Sequence, residues 1–226
     1  MGAHAPSEES RQWDEAMRRD WNERARSNAM HYVESSRDEW DEDDFFASGR
    51  ESVRRFVDVD LPLICGGRDA KELAMLEIGC GVGRMTVHLA EIFGHVDAID
   101  ISDEMIAIAR RHLGAAANVS LHVTSGRDLA PFGDRSFDFC FSFIVFQHIP
   151  DRSAVIGYLR EAHRTLRRAA IFKFQVQGVL LEEVDTWVGA GFSEEEMRTL
   201  ADEIGFDVVR MSGQGTQYFW NVWRRR

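Results

Sequence analysis

Cysteine is scarce in this chain. The three present among 226 residues, Cys65, Cys80 and Cys140, include no C-x-x-C pair. An odd, scattered set offers no disulfide framework, so a reducing cytoplasm is expected. Positive charge is also short: 27 Lys and Arg stand against 38 Asp and Glu, a net charge of −11. That balance argues against a nucleic-acid or anionic-membrane partner, and the acidic surface reads as a solubility device. No apolar run is long enough to span a bilayer. The first residues carry charge from Glu8 onward and contain no apolar signal core. His88, His95, His112, His122 and His163 have no metal-ligand spacing, and no metal site is expected.

What is present is globular, with 44% hydrophobic residues, enough for one α/β domain and a small cap. Residues 1–10 read as a disordered tail and 11–69 as an N-terminal helical cap. In the cap, Trp13, Met17, Trp21 and Ala25 share one side of a helix over 11–32. The acidic run 38–44 reads as a solvated linker, and Val53, Phe56 and Val57 suggest a short helix. From 70 to 226 strands and helices alternate. Strands are expected at 74–78, 95–100, 119–123, 137–143, 170–176, 206–211 and 217–223. Helical stripes run through Met85, Leu89, Ile92 and Phe93, then Val155, Leu159, Ala162 and Leu166, then Met197, Leu200, Ala201 and Ile204. Ser102 and the pair Ser193 and Glu196 read as helix starts. The alternation predicts a doubly wound, Rossmann-like α/β sheet, largely parallel. The last two strands, joined through Gly213-Gln214-Gly215, predict a terminal antiparallel hairpin.

The densest feature is Leu76-Glu77-Ile78-Gly79-Cys80-Gly81-Val82-Gly83-Arg84. A strand that turns on alternate glycines into a helix predicts bare backbone N–H groups beside a nucleotide-like ligand, and room for its close approach. The dinucleotide fingerprint is G-x-G-x-x-G; the spacing here is G-x-G-x-G. Glu77 stands where a dinucleotide strand wants an apolar side chain. A carboxylate there is costly beside pyrophosphate and useful beside an ammonium group. Asp100 ends the second strand, where an acid accepts hydrogen bonds from both ribose hydroxyls. Cys80 reads as a small packing residue of the turn.

With Asp100-Ile101-Ser102, Asp128-Leu129-Ala130-Pro131-Phe132, and the run from Ser136-Phe137-Asp138 through Val145-Phe146-Gln147-His148-Ile149, the set resembles the class I S-adenosylmethionine-dependent methyltransferases of the bacterial small-molecule type. The resemblance covers residues 72–176. It implies a seven-stranded sheet of order 3-2-1-4-5-7-6 with one antiparallel strand. The implied cofactor is S-adenosyl-L-methionine, leaving as S-adenosyl-L-homocysteine, and the implied partner is a small-molecule acceptor methylated on oxygen or nitrogen. It places Gly79, Cys80, Gly81 and Gly83 under the methionine part and Glu77 at its amino group. Asp100 takes the ribose, Ile101 and Met105 flank the adenine, and Gly126 and Arg127 border it; Ser125 departs from the pattern, standing where many relatives have an acid that accepts from the adenine amino group, a role left to the serine or to Asp128. Ser142 and Phe143 lie near the sulfonium.

His148 suits a general base near neutral pH, with Gln147 beside it contacting substrate or cofactor. The other reading of His148 is a structural histidine at the helix start near Pro150. Acceptor-lining candidates are Trp21, Arg24, His31 and Tyr32 from the cap and Trp187 from a lid over 179–192. Tyr32 or Arg24 is expected to close over the cofactor carboxylate. The Ser-Phe-Ile-Val run after the fourth strand is unlike the Asn/Asp-Pro-Pro-Tyr type, which disfavours nucleic-acid bases as acceptors. Two rivals stand beside this reading: an NAD(P)-dependent oxidoreductase, and a cofactor-binding protein of this fold that does not methylate.

Overall fold

A computed structural model describes residues 7–114 and 116–226. Its centre is one sheet of β1 (Ala74–Ile78), β2 (His95–Asp100), β3 (Val119–Val123), β4 (Phe137–Ser142), β5 (Leu166–Val176), β6 (Phe206–Ser212) and β7 (Phe219–Arg225). The strand order is β3-β2-β1-β4-β5-β7-β6, as expected. The first five strands pair in parallel, and β7 runs antiparallel to β5 and β6. Every residue of β4 is buried, as befits a central strand covered on both faces.

Among the described residues seven helices surround it: α1 (Glu8–Val33), α2 (Glu42–Phe56), α3 (Leu61–Cys65), α4 (Thr86–Ile92), α5 (Asp103–Leu113), α6 (Arg152–Thr165) and α7 (Glu194–Ile204). Side chains alternate across each strand. Leu76 and Ile78 join Val155 and Leu159 of α6 and Met197 of α7 on one face. Met75 joins Val53 of α2, Ile64 of α3 and Leu89 of α4 on the other.

Three expectations are corrected. Of the expected tail, residues 1–6 lie outside the described residues, but Ser7 accepts from the Ser10 N–H and starts α1 at Glu8. The acidic run is a linker only over 38–41; its second half starts a helix. Asp41 accepts from the N–H groups of Asp43 and Asp44, and Glu42, Asp43 and Asp44 fill the first turn of α2, where negative charge opposes the helix dipole. Leu166 belongs to β5, not to the preceding helix. It pairs with Phe137, and a register shift with Ala169 at φ 63° carries the strand into line with β4. Elsewhere strand ends differ by one or two residues.

Helix α1 lies over the loops that follow β2 and β3, clamped by polar contacts. Arg18 donates to the carbonyls of Ile101 (2.9 Å) and Thr124 (2.8 Å). Asn22 Oδ1 accepts from Ser102 Oγ at 2.6 Å, and its amide donates to Asp103 at 2.8 Å. Arg127 pairs with Asp14 of α1 and with Asp151. The helix breaks at Asn28 (φ −163°, ψ 80°), whose Oδ1 accepts from the His31 N–H and restarts its last turn.

The cap is tied to the sheet through a buried ion cluster. Asp60 accepts from Lys173 Nζ of β5 (2.7 Å) and from Arg210 of β6 (2.6 Å). Asp60→Asn leaves Lys173 buried without its counter-ion, and is expected to cost about 3 kcal/mol in urea unfolding. A loss below about 1 kcal/mol would show that the pair does not tie the cap down.

Candidate functional site

The parallel registers of β1, β2 and β4 end together, with Ile78 opposite Ile99 on one side and Ser142 on the other. Ligands of such sheets bind beyond these carboxyl ends. A cavity opens there. Its floor includes Glu77, Gly79, Cys80, Gly81 and Asp100, one side Ile101, Met105 and Gly126, and its roof Trp13, Met17 and Trp21 of α1.

The glycine turn works differently from the expectation of free N–H groups. The N–H groups of Gly79 and Cys80 both donate to the Ile99 carbonyl, at 2.8 and 2.9 Å. Gly81 donates to Asp100 Oδ2 at 2.9 Å, and Gly83 to the Cys80 carbonyl at 3.0 Å. These four donors are taken up within the protein. What the turn presents is backbone without side chains: Gly79 and Gly81 have φ of 77° and 54°. A Cβ on Gly79 would fall 2.2 Å from a Val145 methyl, and one on Gly81 2.9 Å from a Val33 methyl.

Four carboxyls line the cavity among the described residues; Asp14 and Asp151 are paired with Arg127, which leaves Glu77 and Asp100. Glu77 Oε2 accepts from Thr86 Oγ1 at 2.6 Å. Burial pushes its pKa up to about 7, against the opposing pull of Thr86 and Arg84. Asp100 accepts from the N–H groups of Gly81 and Ser102, and burial raises its pKa too. A carboxylate has about four acceptor positions, so Asp100 keeps capacity for a ligand. Arg84 also lines the cavity. It is 3% exposed, its Nη1 donates to Ser48 and Ser52, Glu34 lies 3.7 Å away, and its Nε has no partner among the described residues.

A second cavity shares Tyr32, Val33 and Ile144 with the first and adds Gln147, His148, Gln177, Gln217 and Trp187. Ile144 between them has φ 54°, a strained conformation for a β-branched residue. Its N–H donates to Gln175 Oε1 at 3.0 Å. Gln175 donates in turn to Gln147 Oε1 at 2.5 Å. The Gln147 amide stands 3.3 Å from His148 Nε2, and His148 Nδ1 lies 2.5 Å from the Trp187 carbonyl. A carbonyl only accepts, so Nδ1 carries the proton and the lone pair of Nε2 accepts from the Gln147 amide. Burial chiefly, aided by the Arg24 cation, lowers the His148 pKa to about 4. Asp151, not His148, caps the following helix, through the Ser153 N–H.

The cap and flanking candidates divide. Tyr32 and Trp21 reach the first cavity, and Tyr32 and Trp187 the second. Arg24 and His31 lie in neither wall. Arg24 donates to the Thr186 carbonyl and hydroxyl and packs over Trp21 and Trp187. His31 bonds the Arg37 carbonyl. Phe143 lines the first cavity, whereas Gly83, Ser125, Arg127 and Ser142 do not. Arg127 is engaged by Asp14 and Asp151, and Ser142 donates to the Ile78 carbonyl. Residues that sequence reasoning missed are Arg84, Ile144, Gln175 and Gln177. The signals that could have found them were an arginine directly after the glycine run and two glutamines in an apolar strand.

Residues 76–174 match the family described as Methyltransferase domain. A curated relative, ubiquinone biosynthesis O-methyltransferase of Xanthomonas oryzae pv. oryzae, is 32% identical over 99 residues, which cover 43% of this chain and 41% of that protein. The chain thus matches less than half the length of that relative. Phosphoethanolamine N-methyltransferase 1 of Haemonchus contortus, solved with phosphoethanolamine and S-adenosylhomocysteine, superposes with a TM-score of 0.71 at 17% identity, over 97% of this chain and 50% of that one. Magnesium protoporphyrin IX methyltransferase of Synechocystis PCC 6803, solved with its cofactor bound, gives 0.66 at 17% identity over 100% of both chains. Residues 76–174 thus match a methyltransferase domain, and the chain has the class I methyltransferase fold.

Because His148 is held neutral, its ring ¹⁵N shifts are expected to stay those of the Nδ1–H tautomer from pH 8 down to about 5. An unperturbed histidine titrates near 6.5. Between those two pKa values the unfolded chain binds the proton and the folded one does not, so this residue's contribution lowers stability as pH falls from 6.5 toward 4. A ring titrating at 6.5 would contradict the assignment.

Proposed function

We propose that this domain binds S-adenosylmethionine in the first cavity and directs its methyl group to a hydroxyl of a small molecule in the second. The observation that carries the reading is the presence of two carboxyls, Glu77 and Asp100, beside a glycine turn whose Gly79, Cys80, Gly81 and Gly83 N–H groups are already engaged. A pyrophosphate wants free N–H donors and no carboxylate, which speaks against the NAD(P) reading. A cationic amino-acid nucleoside wants the reverse. Glu77 suits its ammonium group, the unpartnered Nε of buried Arg84 its carboxylate, and Asp100 its ribose. Ile101, Met105 and Gly126 supply an apolar slot for the base. When bound, the cofactor supplies a methyl group on a sulfonium, an electrophilic carbon with a good leaving group.

The chain's own residues then have two tasks. Trp13, Met17 and Trp21 exclude water from above, which aligns and dries the site. His148 Nε2 accepts the proton of the attacking group once the acceptor's hydroxyl takes the place of the Gln147 amide. Its pKa of about 4 favours oxygen over nitrogen. An amine is an ammonium ion at neutral pH and must lose its proton before it attacks, which so weak a base does not achieve. A neutral hydroxyl attacks with its proton on, becomes strongly acidic as the new bond forms, and yields the proton even to a weak base.

Calorimetry is expected to show binding of S-adenosylmethionine and S-adenosylhomocysteine and none of NAD; binding of NAD alone would overturn the reading. Free Glu77 holds its proton below about pH 7, and the ammonium group requires it ionised. Cofactor affinity should therefore fall as pH drops below 7, by up to about tenfold per unit, and Glu77→Gln should abolish that slope. His148→Gln is expected to lower kcat roughly a hundredfold while leaving S-adenosylhomocysteine affinity within about twofold. Full turnover by this variant removes His148 as the base. Protein that binds the cofactor and methylates nothing in a broad extract favours the non-methylating rival.

A further inference from the structure

Given methyl transfer from the first cavity, as proposed, the lining of the second carries information about the acceptor. No lysine or arginine among the described residues lines it, and its one carboxylate, Glu34, leans toward Arg84 at 3.7 Å. An anionic acceptor finds no counter-ion there. A cationic one meets aromatic faces already in use. The Arg24 guanidinium stands 4.8 Å from the Trp21 ring centre and 5.3 Å from that of Trp187, and its charge already disfavours a proton on His148. The buried polar groups that remain, Gln147, His148 and Gln177, are uncharged hydrogen-bonding groups at the inner end.

The mouth is the opposite in character. Among the described residues seven large apolar side chains are exposed: Val59, Val123, Val179, Leu180, Leu181, Val209 and Tyr218. Four of them gather here. Val179, Leu181 and Tyr218 line the cavity, and Leu180, 64% exposed, sits between the first two in sequence. Scattered single apolar residues need no explanation, but a cluster at a cavity mouth marks a binding surface. Val179 and its neighbours are not loose: the Val179 N–H donates to Gln177 Oε1 at 3.2 Å, and Gln177 forms a β-bridge with Gly191.

We infer that the acceptor is an uncharged amphipathic molecule. Its hydroxyl-bearing head reaches Gln147 and His148, and its apolar ring or chain lies along Trp187 and out over Val179, Leu181 and Tyr218.

The test uses 4-alkylphenols from methyl to octyl, with 4-hydroxybenzoate and tyramine as charged partners. Binding is read by calorimetry on the full chain, with and without saturating S-adenosylhomocysteine. Affinity is expected to rise about three- to fourfold per added methylene while the chain stays over the patch. Both charged probes should bind at least tenfold more weakly than 4-ethylphenol. The double variant Leu180→Asp, Leu181→Asp should flatten the chain-length slope and leave S-adenosylhomocysteine affinity unchanged. Affinity independent of chain length, or tighter binding of either charged probe, overturns the inference. Failure of S-adenosylhomocysteine to bind overturns the cofactor reading instead, and the slope measured without it still decides the character of the cavity.

Discussion

A single carbonyl, that of Ile99, organises this site. It accepts the N–H groups of both Gly79 and Cys80, although it belongs to the neighbouring strand. The turn after β1 is thereby sewn to the end of β2. Glu77 and Asp100, 23 residues apart in the chain, are brought to one cavity by that stitch. The same geometry makes the glycines necessary: two N–H groups converge on one oxygen only if the backbone curls through positive φ. Val145 and Val33 close against the space that Cβ atoms would take. The turn is therefore a structural joint first, and its bare backbone faces the cavity as a consequence.

A second line of polar contacts runs from β5 into the other cavity. Gln175 holds the strained Ile144 by its N–H and Gln147 by its side-chain oxygen, and Gln147 meets His148. Left-handed backbone at an isoleucine costs on the order of 1–3 kcal/mol and persists where surrounding contacts over-determine it. Here it puts Ile144 in the wall between the two cavities, where the reacting groups of the proposed chemistry would meet. The Gln147 amide at Nε2 and the Trp187 carbonyl at Nδ1 together fix which histidine nitrogen carries the proton, which no isolated imidazole would specify.

The fold was legible in the sequence because its signals are local and periodic. Strand, glycine turn and helix follow one another with clear alternation, and the antiparallel hairpin announces itself by two strands without a helix between them. The acidic run misled because charge density looks alike in a linker and in a helix first turn. Asp41 as a cap decides between them, and a cap is recognised only once the helix is seen. In the site, residues on the glycine turn and at strand ends were readable because the backbone itself places them. Arg84 was not, because its role depends on Ser48 and Ser52 from a distant helix and on an Nε left without partner. Arg24 looked like a cavity residue by its position on the cap. Its side chain turns to Thr186 instead, a choice made by tertiary contacts alone.

The roof has a consequence for ligand entry. Helix α1 covers the first cavity with Trp13, Met17 and Trp21 and is held by directional polar contacts: Arg18 to two loop carbonyls, Asn22 to the start of α5, Asp14 to Arg127. Such contacts can break and reform with water as substitute partner, but Met17 and Ala25 of the same helix are packed in the core, so opening the roof would also cost that packing. The second cavity has its own apolar rim at Val179, Leu181 and Tyr218. In the proposed reaction the charged cofactor and the uncharged acceptor would occupy separate cavities and meet at the wall that Ile144 forms between them.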